Sequence, residues 1–236
     1  SAHIGSEIRA GADVNGQDKD GSSPLMLAAG NNSNPEVLTV LIKAGADVDA
    51  RDKEGRTPLI HGAMYNPNPE VLTVLLKAGA DVNAHARGGG TSLMNAAACN
   101  SNPDVLAVLV KAGADVDARD LRGWTSLMLA ASYNSNPEVL TVLLGSHADV
   151  NARAQGGGTP LIGAAGNNPN PEMLTLLLKA GADVNARAQG GRTPLAYAAA
   201  NNANPEVLTV LLEAGSDVNA GDMDGLTPLA HAAANN

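Results

Sequence analysis

The strongest constraint on this chain is a lattice. The phrase Ala-Gly-Ala-Asp-Val, or a close variant of it, places Asp13, Asp47, Asp81, Asp115, Asp149, Asp183 and Asp217 at intervals of 34 residues (47 − 13 = 34). A Gly recurs in the same register at 21, 55, 89, 123, 157, 191 and 225, and an Asn-Pro pair begins at 34, 68, 102, 136, 170 and 204. A fixed period of this length marks a supersecondary unit that cannot bury its apolar face alone and must stack on its neighbours. The register assigns one repeat domain over 1–236: a worn half unit at 1–17, six full units over 18–221 and a second half unit at 222–236. Composition agrees, because 236 residues with no Phe, three Tyr and one Trp suit a thin core shared between neighbours and not a thick-cored enzyme.

Each unit spells out two helices. Thr57-Pro58-Leu59 opens the first, with Pro where a missing N–H costs nothing. Asn66 ends it, and the tolerance of Asn for left-handed backbone predicts that conformation here. Asn68 then caps the second helix, Pro69 occupies its first turn and Glu70 meets the positive end of its dipole. An apolar row of Val71, Val74 and Leu75 follows, and Gly79 closes the helix in the left-handed region. The fourth unit departs from this grammar, since Gly145-Ser146-His147 puts a His at the left-handed position.

The run Asp52-Lys-Glu-Gly55-Arg-Thr57-Pro58-Leu59, followed by Val71-Leu-Thr-Val-Leu-Leu-Lys-Ala-Gly79-Ala-Asp81-Val-Asn83-Ala, resembles the ankyrin-repeat consensus, and the resemblance covers essentially the whole chain. A 34-residue period also suits tetratricopeptide repeats, but their Trp-x-x-Leu-Gly-x-x-Tyr phrase is absent. Two departures stand out. The family's His after Thr-Pro-Leu is replaced by Met26, Ile60, Met94, Met128, Ile162, Ala196 and Ala230, and each full unit carries one extra residue between its helices. The resemblance implies an all-α repeat, an ankyrin-type solenoid of helix-turn-helix units linked by β-hairpin fingers. It also implies a non-catalytic protein–protein interaction scaffold that holds its partner along the finger tips and the concave face of the first helices. The alternative is a recruitment or regulatory segment of a larger enzyme or multidomain protein.

Candidate chemistry dissolves into the lattice. The Gly-Gly-Gly-Thr runs at 88–91 and 156–159 lack the Lys of a phosphate loop and sit at finger turns. Asp47 with Asp49, and Asp115 with Asp117, are repeat features in which Asn replaces the second acid elsewhere. Asp222-Met-Asp224-Gly225 begins like a calcium loop but lacks its later ligands. His3, His61, His85, His147, His231 and Cys99 show no metal-ligand spacing. No catalytic residue, cofactor or metal is expected. The lone Cys excludes a disulfide scaffold, no apolar run reaches the 18 residues of a membrane span, and the charge of 15 − 24 = −9 argues against nucleic acid. The expected partner is another protein or peptide, with neither nucleic acid nor membrane. The chain itself is expected to be a soluble monomer, with end-to-end stacking open at uncapped termini, in the cytoplasm or exported to a host.

Positions that vary on the lattice carry what information remains. The column ending the first helix reads Asn31, Tyr65, Cys99, Tyr133, Asn167, Asn201, Asn235, and the column one turn earlier reads Leu27, His61, Asn95, Leu129, Gly163, Tyr197, His231. After the conserved finger Gly stand Ser22, Arg56, Gly90, Trp124, Gly158, Arg192 and Leu226. Tyr, Trp and Arg dominate interface hot spots, so the candidate partner-binding residues are Arg56, His61, Tyr65, Asn95, Cys99, Leu121, Arg122, Trp124, Leu129, Tyr133 and Arg192. The competing reading has Tyr65 and Tyr133 filling gaps between helices. Units five and six look bare, although their fingers (151–158 and 185–192) carry three Arg and no acid, a cationic edge suited to an acidic segment or simply to solvent.

Overall fold

A Thr-Pro-Leu start works because the Thr hydroxyl takes an orphan N–H of the first turn while Pro has none to lose. In the computed structural model, which describes residues 2–235, the Thr57 Oγ1 accepts from the Ile60 N–H at 3.3 Å and Pro58 opens the helix. Asn68 caps the next helix by accepting from the Glu70 N–H at 3.1 Å. The two outermost residues of the half units, Ser1 and Asn236, lie outside the described residues.

The chain divides into two compact units, 1–115 and 116–236. The first contains α1 (Ala2–Arg9), α2 (Pro24–Asn31), α3 (Pro35–Lys43), α4 (Pro58–Tyr65), α5 (Pro69–Lys77), α6 (Ser92–Cys99) and α7 (Pro103–Lys111). The second contains α8 (Ser126–Tyr133), α9 (Pro137–Gly145), α10 (Pro160–Asn167), α11 (Pro171–Lys179), α12 (Pro194–Asn201), α13 (Pro205–Glu213) and α14 (Pro228–Asn235). Within the first unit α2, α4 and α6 stack as one layer and α3, α5 and α7 as another. Within the second, α8, α10, α12 and α14 form one layer and α9, α11 and α13 the other.

The core is thin and aliphatic. Leu59, Ile60, Leu72 and Leu75 in the first unit, and Leu127, Leu140, Leu143 and Leu174 in the second, are fully buried. Each such side chain contributes about 1.5–3 kcal/mol by leaving water. Ala29, Ala63, Ala130, Ala131, Ala164 and Ala165 are equally buried and let first helices approach closely. Met26, Ile60, Met94 and Met128, which replace the family's His, also lie within the core.

The Asn that ends each first helix is extended, not left-handed: Asn66 has φ −98° and ψ 120°. The expected conformation gives way because the extended one aims the amide across the repeat boundary. Asn66 Nδ2 donates to the Ala29 carbonyl at 2.8 Å and the Asn32 carbonyl at 3.0 Å, while its Oδ1 accepts from the Asn68 N–H at 3.0 Å. The Ala29 carbonyl belongs to the last turn of α2, which has no intrahelical donor of its own. Asn100 repeats the pattern on Ala63 and Asn66, and in the second unit Asn168 does so on Ala131 and Asn134 and Asn202 on Ala165 and Asn168.

The second helices end as the pattern requires. Gly79 is left-handed at φ 96°, and among the described residues only His147, at φ 64°, adopts that region without being Gly. The fingers differ from expectation, because the described residues form no strand. The Asp52 N–H donates to the Arg56 carbonyl at 3.1 Å, but the returning Arg56 N–H bonds the Asp52 Oδ1 at 2.8 Å, so a side chain takes the place of a ladder partner. Neighbouring fingers share a backbone bond, such as Arg87 N–H to the Glu54 carbonyl at 2.9 Å. Gly55, at φ 73°, permits that approach, since an added Cβ would stand 3.1 Å from the Arg87 nitrogen.

Replacing Asn66 by Ala strands two carbonyls and an N–H at a buried position, with an expected loss of about 2–3 kcal/mol. Equilibrium urea unfolding of the variant measures it, and a loss under about 0.5 kcal/mol would contradict the bridging role.

Candidate functional site

In the first unit the finger Asp organises the residues around it. Asp52 is 6% exposed, and its Oδ1 accepts from the Glu54 and Arg56 N–H groups at 2.9 and 2.8 Å. Its Oδ2 accepts from Arg56 Nε at 2.8 Å and faces His61 Nε2 at 3.0 Å. Burial pushes the Asp52 carboxyl pKa up, but hydrogen bonds from the Arg56 backbone and from the His61 and Arg56 side chains outweigh it and hold the group below the ordinary aspartate range. Two residues expected to face a partner, Arg56 and His61, are thus engaged inside the chain.

Tyr65 has a double role. Its ring centroid lies 6.2 Å from that of His61, and its edge lies against Gly30 of the preceding repeat, where an added Cβ would meet it at 3.6 Å. The gap-filling reading therefore holds for one edge of the ring, while 52% of the residue remains exposed. Asn95 is half-buried and donates from Nδ2 to the Thr91 carbonyl at 2.8 Å. Cys99 is exposed, yet desolvation of its thiol raises the pKa and makes it a reluctant nucleophile.

The second unit contains a denser cluster. Asp120 Oδ1 accepts from the Arg122 and Trp124 N–H groups, both at 2.8 Å, which fixes the finger that presents them. The Arg122 guanidinium carbon lies 5.5 Å from the Trp124 ring centroid. The Trp124 and Tyr133 rings are near parallel, 10° apart in plane with centroids at 6.0 Å. Leu121 and Tyr133 are exposed, and Trp124 and Leu129 are half-buried.

Arg192 lies 3.7 Å from Asp222 Oδ2, and the same oxygen faces His231 Nε2 at 2.9 Å, so the Asp52–His61 device recurs. Sequence reading missed both pairs, although the signal was an Asp nine residues before each His.

Beyond Trp124 a groove of about 270 Å³ runs past Met128, Ile162, Ala188 and Tyr197, beside Gly158 and Gly163. The region that looked bare in sequence is therefore open space between aromatic walls. Its fingers are held by an arginine series, with Arg119 Nη1 donating to the Gly123 and Arg153 carbonyls at 3.1 and 2.7 Å and Arg187 Nη1 to those of Gly191 and Gly221 at 3.0 and 2.8 Å. Arg153 bonds the Arg187 carbonyl in the same way.

Among the described residues no three His, Cys, Asp or Glu side chains converge as a metal site, and no helix is long and apolar enough to cross a membrane. The chain matches the family described as ankyrin repeats in three copies, over residues 6–86, 83–154 and 161–236, and it belongs to that family. No curated protein matches it. Ankyrin repeats are generally protein–protein interaction modules.

Because the folded-state pKa of Asp52 is depressed, its stabilising contribution is full above the unfolded value of about 3.9 and disappears as pH falls through the lower folded value. Asp52→Asn is expected to cost about 2 kcal/mol near neutrality, with the deficit shrinking below about pH 4. Urea unfolding of both proteins across that pH range checks this, and a deficit independent of pH would refute it.

Proposed function

We propose that this protein is a non-catalytic interaction scaffold and that its second unit grips a protein partner through Leu121, Arg122, Trp124 and Tyr133. The observation that carries the reading is the parallel Trp124–Tyr133 pair with Arg122 over the Trp ring. A pre-stacked pair gives up little side-chain freedom on binding, and it joins large apolar faces to polar edges. An exposed aliphatic neighbour, Leu121 at 70%, extends the patch. Tyr65 offers a second exposed aromatic in the first unit, whereas Arg56, His61 and Arg192 support the surface through their carboxylate partners. Net charge of −9 disfavours a polyphosphate partner and supports a protein one.

A photo-crosslinking amino acid at position 133, used in an extract of the native source, identifies the partner by mass spectrometry. Trp124→Ala is then expected to weaken binding by about 2 kcal/mol or more, roughly thirtyfold, and Tyr133→Ala by a similar factor. Unfolding midpoints should stay near that of the parent. Unchanged affinity in both variants would remove the patch from the account.

A further inference from the structure

We propose that the groove in the second unit is a peptide-docking notch one repeat wide, and that it takes an acidic segment bearing a single bulky apolar or aromatic side chain. The proposal rests on the scaffold reading above and specifies the chemistry of the partner.

The notch follows from a coincidence of two columns. The residue after the conserved finger Gly and the residue five positions later meet across the finger and first helix: an added Cβ on Gly90 would stand 3.3 Å from Asn95 Nδ2, and Arg56 and His61 share one carboxylate. Read in pairs, these columns are Ser22/Leu27, Arg56/His61, Gly90/Asn95, Trp124/Leu129, Gly158/Gly163, Arg192/Tyr197 and Leu226/His231. Only the fifth pair has no side chain on either member. The space is bounded by Trp124 on one side and Tyr197 on the other, over a floor of Met128, Ile162 and Ala188. Its volume of about 270 Å³ falls just below the roughly 300–1,000 Å³ of drug-sized pockets, which suits one side chain and the backbone beside it. Ser132 adds a polar element to the lining, since its Oγ is buried without a hydrogen-bond partner, and Gly163 leaves it room because a Cβ there would clash with that oxygen.

Charge selects the flanks. The lining itself contains no charged side chain of either sign. The finger that walls the notch contributes Arg153 and the following finger Arg187, whereas Arg122 and Arg192 on the flanking fingers are already paired with Asp120 at 3.5 Å and Asp222 at 3.7 Å. Among the described residues no carboxylate lies within 4.0 Å of Arg153 or Arg187, whose guanidinium groups are held by carbonyls instead. Carbonyl bonds fix these groups in place without cancelling their charge. The unit's helix-starting acids, Glu138, Glu172 and Glu206, stand on the other helical layer. A stacked base with phosphates would satisfy part of this chemistry, but few cations in a chain of net charge −9 favour a carboxylate peptide over a polyanion.

The test is selection of a displayed random-peptide library on the full chain. The enriched peptides should carry one Phe, Trp, Leu or Met among Asp and Glu. A synthetic enriched peptide should lose on the order of tenfold in affinity with Gly158→Leu, and similarly with Gly163→Leu, and should weaken as salt rises. An added Cβ on Gly158 meets no atom within 4 Å, and an unchanged unfolding midpoint verifies that the variant folds. Failure to enrich acidic peptides, binding that survives both fillings, or tighter binding of an oligothymidylate would each overturn the proposal. If Trp124→Ala and Tyr133→Ala abolish binding of the selected peptide while neither filling does, the notch fails and the scaffold reading stands. If none of the four substitutions matters, both fail.

Discussion

Within each unit a side-chain amide joins one first helix to its predecessor, from Asn66 and Asn100 in the first unit and from Asn168 and Asn202 in the second. A helix of eight or nine residues is marginal alone, and the last-turn carbonyls of a first helix have no partners within it. Asn66 and its equivalents supply them from the next repeat while bonding the N–H that leads into the second helix. Close stacking follows, small residues become suitable at the contact, and Leu, Val, Met and Ala suffice for the core. Absence of Phe is then a consequence of architecture.

The division of labour on the surface has the same origin. Since Asn, Asp, Gly and small aliphatic residues hold the framework, the finger tip and the exposed face of the first helix are free to vary. The finger Asp still shapes what appears there. At Asp52 and Asp222 the carboxylate engages a His and an Arg, whereas at Asp120 the column holds Leu129 in place of His, the carboxylate pairs with Arg122 at 3.5 Å, and the finger carries the half-buried Trp124 beside that Arg. One turn of backbone thus accommodates either an Asp–His–Arg cluster or an Asp–Arg pair beside an aromatic ring.

Much of the fold was legible in the sequence, because a period and a cap are local signals. The helix starts at Thr57 and Asn68, the glycine stop at Gly79 and the left-handed His147 all follow from rules that act within a few residues. What escaped was non-local. Asn66 was read from its own backbone preference, but hydrogen bonds to residues 34 and 37 positions away decide its conformation. The fingers were read as hairpins, but the Asp52 carboxylate captures the N–H that would extend a ladder. At the candidate site, Trp124 and Tyr133 stood out by rarity, while the commitment of Arg56 and His61 to Asp52 required comparing two columns nine residues apart. The open row at Gly158 and Gly163 was visible as missing side chains, and its meaning depended on what flanks it.

The framework does not depend on Tyr65, Trp124 or Tyr133. The most direct test is equilibrium urea unfolding of a variant in which the aromatics are replaced by residues used at equivalent positions elsewhere in the same chain: Tyr65→Asn, Trp124→Gly and Tyr133→Asn together. Stability is expected to stay within about 1 kcal/mol of the parent, as for substitutions outside the core. A loss of about 3 kcal/mol or more, or loss of the cooperative transition, would contradict this and show that the aromatics belong to the framework.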